Sequence, residues 1–189
     1  GRVLQTLKET GLDKNTIVIF VSDHGEMFGA QGRVFKMTFY EESARVPFII
    51  RWPEHVPAGA VSDACMATPD IMPTLLGLCG RKSPAAVEGM DLSALTLGRQ
   101  GPEPEFALLQ GMGHTYLWND GFEWRALRDK QYTYARYLRD GKELLFDNVE
   151  DPLQKTDLAG DPGHAAKLAE LRDKMNGKMV LIHDEFKPC

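Results

Sequence analysis

The chain has 189 residues, 43% of them hydrophobic and 26% charged, which is enough apolar material for an ordinary globular core. A formal net charge of −5, without a lysine or arginine stripe, argues against a nucleic-acid surface, and no apolar run approaches the length needed to span a bilayer. The three cysteines, Cys65, Cys79 and Cys189, do not suggest a disulfide framework, and Cys65 and Cys79 read as small buried apolar residues.

Residues 2–10 read as a helix that Gly11 terminates. Residues 16–21, TIVIFV, are apolar and largely β-branched without alternation, the pattern of a strand covered on both faces. Asp23 and His24 follow at its carboxyl end, where open α/β sheets bind their ligands, and Gly25 permits a sharp turn. Residues 39–44 have helical character, and 46–52 form a second apolar strand closed by Pro53. Thr68 as cap and Pro69 at the first helical position open a helix that Gly80 ends.

Residues 81–104, rich in Gly, Pro and Ser, read as an irregular linker holding one short helix at 92–97. The pattern then changes to short runs at 106–110, 123–128, 131–138 and 143–146, separated by Asp-Lys and Asp-Gly turns, which predicts an antiparallel meander. A last helix over 163–179 places Leu168, Leu171 and Met175 on one face. The expected division is residues 1–104 as part of an α/β layer and 105–189 as a small α+β unit.

Among the polar groups, Asp23 offers an oxygen and His24 a nitrogen to a divalent cation, although such a pair also serves simply as a polar cap on a strand. Lys36 follows Asp23 by thirteen residues. His114, Tyr116 and Trp118 lie in a glycine-flanked stretch whose aromatic faces and hydrogen-bonding tips suit a sugar pocket, or equally surface packing.

The block 22–47, SDHGEMFGAQGRVFKMTFYEESARVP, resembles the second signature region of the sulfatases, within the alkaline phosphatase superfamily. ATPDIMPTLL at 67–76, VEGMDL at 87–92, the run WRALR at 124–128 and the turn beginning Asp151-Pro152 match further family segments in the same order. The family's C/S-x-P-x-R motif, whose cysteine or serine becomes formylglycine, and its first metal-binding aspartate pair do not occur in this chain. The resemblance is therefore to the carboxyl-terminal portion of a sulfatase. It implies part of an alkaline-phosphatase-like α/β sheet, followed by an α+β unit with an antiparallel sheet and a terminal helix.

The same resemblance implies roles. Asp23 and His24 would be metal ligands, with calcium the usual ion. Lys36 would be the catalytic, sulfate-binding cation, since a fixed positive charge stabilises an ester oxygen more as the S–O bond breaks than before. Gln31, standing where relatives have histidine, would alter substrate contacts, and the glycine-flanked stretch noted above would add His114 as a substrate-binding group.

The function implied is a sulfuric ester hydrolase acting on a sulfated glycan or small molecule once joined to an amino-terminal part that supplies the formylglycine nucleophile. The chain alone would then be inactive. A phosphonate or phosphate ester hydrolase of the same superfamily is one alternative, and a truncated, non-catalytic binding module is another. Self-association through the incomplete sheet is expected, and a periplasmic or secreted location is mildly favoured by the resemblance.

Overall fold

The computed structural model describes residues 1–111 and 123–187. In chain order its elements are α1 (Arg2–Glu9), β1 (Val18–Val21), α2 (Glu41–Ala44), β2 (Phe48–Arg51), α3 (Thr68–Leu78), α4 (Ser93–Thr96), β3 (Ala107–Gly111), β4 (Trp124–Arg128), β5 (Tyr132–Tyr137), β6 (Glu143–Asp147) and α5 (Ala165–Leu181). They cluster into two compact units, one of residues 1–23, 47–64 and 68–103, the other of 24–46, 65–67 and 104 onward. The segment 24–46, which sequence order places with the first part, thus belongs to the same unit as the carboxyl-terminal sheet.

In the first unit β1 and β2 pair antiparallel, with Phe20 opposite Ile49 and Val21 opposite Phe48. The run read as a strand covered on both faces is not so covered here, because Phe20 is 63% and Ile49 60% exposed. A two-stranded sheet has no further strands or helices of its own to bury both faces. The helix α3 is fastened to the linker by its buried polar residues. Asp70 Oδ1 accepts the Met90 N–H at 2.7 Å, and Thr74 Oγ1 accepts the Leu92 N–H at 3.0 Å. Just before them Gly89 approaches so closely that a Cβ there would stand 2.0 Å from the Pro69 carbonyl oxygen. The cysteines correct the expectation of burial: Cys79, just past the end of α3, is exposed, and Cys65 is half-buried.

The second unit holds the predicted meander, an antiparallel sheet in the order β3-β4-β5-β6. Successive side chains of a strand face opposite ways, so the sheet has two apolar faces to cover. On one face Leu127, Tyr134 and Leu145 pack with Leu168, Leu171 and Met175 of α5, the stripe read from helical spacing. On the other, Trp124, Ala126 and Tyr137 pack with Met27, Phe39 and Tyr40 of the segment 24–46. Phe39 is fully buried and meets the edge of Trp124, with ring centroids 5.3 Å apart at 82°, the favoured edge-to-face arrangement.

Charged side chains secure the terminal helix and the residues after it. Arg125, buried in β4, donates from Nε to Asp184 Oδ2 at 2.5 Å and from Nη2 to Asp184 Oδ1 at 2.9 Å, a two-point grip. Glu143 receives two hydrogen bonds of 2.6 Å from Arg172 of α5 and one of 2.5 Å from the Tyr134 hydroxyl. Burial, followed by the hydrogen bond to Glu143, pushes the Tyr134 phenol well above its usual range.

Candidate functional site

The segment 24–46 begins with two backbone hydrogen bonds that lay it beside α2 and the residues after it. Gly25 N–H donates to the Ser43 carbonyl and Glu26 N–H to the Glu42 carbonyl, both at 2.8 Å. Only glycine fits at position 25, because a Cβ would stand 1.9 Å from the Glu42 carbonyl oxygen. The chain then loops out and back. Met27 N–H donates to the Phe35 carbonyl and Gly29 N–H to that of Arg33, each at 2.8 Å, around a short 3-10 turn at Ala30–Gly32.

This closure returns Lys36 to His24. The Lys36 Nζ lies 2.5 Å from His24 Nε2, and His24 Nδ1 lies 2.6 Å from the Gly25 carbonyl oxygen. A carbonyl only accepts, so Nδ1 carries the proton. The lone pair is then on Nε2, where the ammonium donates to it. Lys36 also sits between two non-glycine residues in the left-handed region, Phe35 at φ 65° and Met37 at φ 77°. Conformations of this kind persist only where the surroundings over-determine them.

The surroundings do so here through the carboxyl-terminal sheet and the turn after it. Trp124 Nε1 donates to the Met37 carbonyl at 3.2 Å. Gln31 Nε2 donates to the Leu153 and Gln154 carbonyls at 2.6 and 3.1 Å. Gln154, itself 1% exposed, returns its Oε1 to the Glu41 N–H at 2.8 Å, and Arg128 Nε donates to Glu41 Oε1 at 2.9 Å. The loop that carries Lys36 is therefore tied on both sides of the lysine.

Gln154 and Trp124 were not singled out from sequence, and no local pattern marks them, since their role depends on partners tens of residues away. Gln31, expected to alter substrate contacts, donates its side-chain amide to main-chain carbonyls. Glu41 and Arg45 pair at 3.4 Å, four residues apart. Thr38 Oγ1 and Glu42 Oε2 are buried without a hydrogen-bond partner among the described residues. His114, Tyr116 and Trp118 lie outside those residues.

Asp23 is the last residue of the first unit's opening stretch, and Ser22 Oγ stands 3.4 Å from its Oδ1. A metal is tested by the donors present. His24 fits in kind, because ligating imidazoles characteristically hand their other ring N–H to a carbonyl or carboxylate, as Nδ1 does here; its Nε2 lone pair, which meets the Lys36 ammonium in this structure, is the one a metal would take in that ammonium's place. In number the donors fall short: among the described residues no group of three His, Cys, Asp or Glu could hold a metal ion. A hard cation such as calcium takes six to eight oxygen ligands, more than any group of the described residues supplies.

The family model "Sulfatase" matches residues 1–81. An ulvan-active sulfatase of Formosa agariphila is 42% identical over 99% of this chain and 37% of its own length. An endo-4-O-sulfatase of Bacteroides thetaiotaomicron is 36% identical over 85% of this chain and 35% of its own length. Among solved structures, one captured with its substrate D-glucosamine-2-N,6-O-disulfate superposes with a TM-score of 0.90 at 25% identity, covering 98% of this chain and 38% of that one. The chain thus spans a little over a third of the length of these relatives.

Fold and motif order together define a segment of the alkaline-phosphatase-like architecture. By sequence and fold alike the chain matches the carboxyl-terminal portion of the longer sulfatases.

Proposed function

We propose that this chain forms the carboxyl-terminal portion of a sulfuric ester hydrolase, with Lys36 as its sulfate-binding cation, Asp23 and His24 as two ligands of a divalent metal, and calcium as that metal. The observation that carries this reading is the fixed ammonium of Lys36, held against a histidine whose tautomer is set by the backbone. In this family the metal and the formylglycine supply electrophilic activation and the nucleophile.

The chain's own residues do the rest of the work that geometry supports. Lys36 places its positive charge where the non-bridging and departing oxygens of a sulfate monoester gain negative charge. The lone pair of His24 Nε2 serves one partner at a time, the Lys36 ammonium in this structure; with that lone pair given to a metal, the ammonium turns to the substrate's oxygens. The strained backbone at Phe35 and Met37, fixed by Trp124 and by the Met27 amide, keeps the lysine from relaxing into solvent. The substrate class is a sulfate ester of a glycan or small molecule.

The test is turnover of an aryl sulfate and of sulfated sugars by the protein with its amino-terminal portion in place. Hydrolysis that depends on Lys36 supports the proposal. A phosphate diester hydrolysed while every sulfate ester is left intact would overturn it.

A further inference from the structure

Gln154 is 1% exposed and lies in the turn after β6 with its backbone in the left-handed region, at φ 51°. Both polar atoms of its side chain are bonded. Nε2 donates to Asn148 Oδ1 at 2.9 Å, and Asn148 Nδ2 donates to Thr133 Oγ1 of β5 at 3.0 Å, which anchors the side chain to the sheet. Oε1 accepts the Glu41 N–H at 2.8 Å. That N–H opens α2, where amides have no partner within the helix, and the cap residue Tyr40 supplies no side-chain bond. Gln154 thus does from 113 residues away what a capping side chain does locally. The place requires an acceptor and a donor at once, which a carboxylate or a cation of similar length does not offer.

Two chains of contacts leave this residue, and they end on the two members of one pair. Through Glu41 it holds α2 and its surroundings, where the Glu42 and Ser43 carbonyls accept the Glu26 and Gly25 N–H groups at 2.8 Å, and the Gly25 carbonyl accepts from His24 Nδ1. Its own carbonyl and that of Leu153 accept from Gln31 Nε2 at 3.1 and 2.6 Å, and Gln31 belongs to the 3-10 turn from which the chain returns to Lys36. Left-handed backbone at Phe35 and Met37, on either side of the lysine, persists only where surrounding structure sustains it. We infer that Gln154 is a positioning residue of the sulfate site: one buried residue that holds the arm of His24 and the arm of Lys36 together and so sets the approach of imidazole and ammonium. For its bearing on catalysis this rests on the function proposed above.

The experiment compares wild type with Gln154→Met, which keeps the length of the side chain and removes both polar atoms, and with Gln31→Met, which cuts the other arm at an exposed residue. The first reading is the imidazole nitrogen NMR spectrum of His24 in the 189-residue chain without metal, at a pH where the ring is neutral, its signals identified by their loss in His24→Gln. Wild type should show the Nδ1–H tautomer, and each variant a mixture of the two tautomers with the circular dichroism of wild type. The second reading is kcat/KM for 4-nitrophenyl sulfate in the protein with its amino-terminal portion. It should fall about tenfold in either variant, and no further when that variant is combined with Lys36→Ala. An unchanged His24 spectrum, activity at the wild-type level, or an equal loss on the Lys36→Ala background, as a purely structural role would give, overturns the inference. If Gln154→Met does not fold, Gln31→Met decides by the same two readings. A wild-type protein inactive on every sulfate ester overturns the proposed function, and the His24 spectrum of the chain then decides the clamp by itself.

Discussion

Lys36 and His24 stand twelve positions apart in the chain, yet the Nζ of one lies 2.5 Å from the Nε2 of the other. The loop that joins them makes this contact because its amides close on its own carbonyls and because the carboxyl-terminal sheet holds it in place. Removing the cation should therefore damage chemistry far more than folding. In the protein with its amino-terminal portion, Lys36→Ala is expected to lower kcat/KM for an aryl sulfate by about a hundredfold or more. Its denaturation midpoint should stay near that of wild type. A loss of activity that tracks a loss of structure would instead assign Lys36 to the scaffold.

Gly25 tests the geometry from the other side. A methyl group at this position would meet the Glu42 carbonyl at 1.9 Å, and backbone cannot swing away as a flexible side chain can. Gly25→Ala should destabilise the second unit by about 2 kcal/mol, the scale of an overpacked core position. Urea denaturation of the 189-residue chain, followed by tryptophan fluorescence, gives the value. Stability unchanged within error would mean that the 25–26 backbone does not lie against 42–43 as described.

Metal binding by this chain should be weak. Asp23 and His24 bring two donors where a calcium ion takes six or more. Calorimetric titration of the isolated chain with calcium should show little heat, and the protein with its amino-terminal portion should bind tightly and lose that affinity in Asp23→Ala. Tight binding by the isolated chain that survives Asp23→Ala would place the metal elsewhere.

Acid sensitivity has a named source in Asp184. The hydrogen bonds from Arg125 hold its carboxyl at about 2, below its ordinary value of 3.8. A carboxyl lowered by folding contributes stability that is present above the unfolded value and is lost as the pH falls through the folded one. The window is therefore between about pH 4 and about pH 2. Asp184→Asn should be less stable than wild type near neutrality, and its stability should fall less steeply across that window. Denaturant titrations at several acid pH values measure both, and an unaltered slope would remove Asp184 from the account.

The exposed pair Phe20 and Ile49 gives the chain an apolar sheet surface. In isolation the chain should self-associate through it, because unpaired strands and uncovered faces promote pairing between copies. Sedimentation velocity over a range of concentrations should show reversible association that Phe20→Thr with Ile49→Thr reduces. A wild-type monomer at every concentration would show that this surface does not attract a second copy.

Much of this organisation was legible in local pattern. The meander β3-β4-β5-β6 was readable because short runs of strand-forming residues sit between Asp-Lys and Asp-Gly turns, and turn chemistry acts over two or three residues. The α5 stripe of Leu168, Leu171 and Met175 was readable because helical spacing puts side chains three and four apart on one face. The likeness to the sulfatases was readable because a motif block keeps its residues at set intervals along the chain.

What local pattern left undecided depends on contacts between distant residues. Nothing near position 154 announces that Gln154 caps the Glu41 amide, nor does Trp124 announce its bond to the Met37 carbonyl, since each is defined by a partner 113 or 87 residues away. The placement of 24–46 with the carboxyl-terminal sheet follows from Met27, Phe39 and Tyr40 filling the face that α5 leaves open. Burial is a property of the packed molecule: the same apolar run that reads as a covered strand leaves Phe20 exposed when only one partner strand is at hand. Sequence spacing thus singled out candidate groups, and tertiary packing set which of them meet, because side chains meet only where the backbone between them has been closed and held.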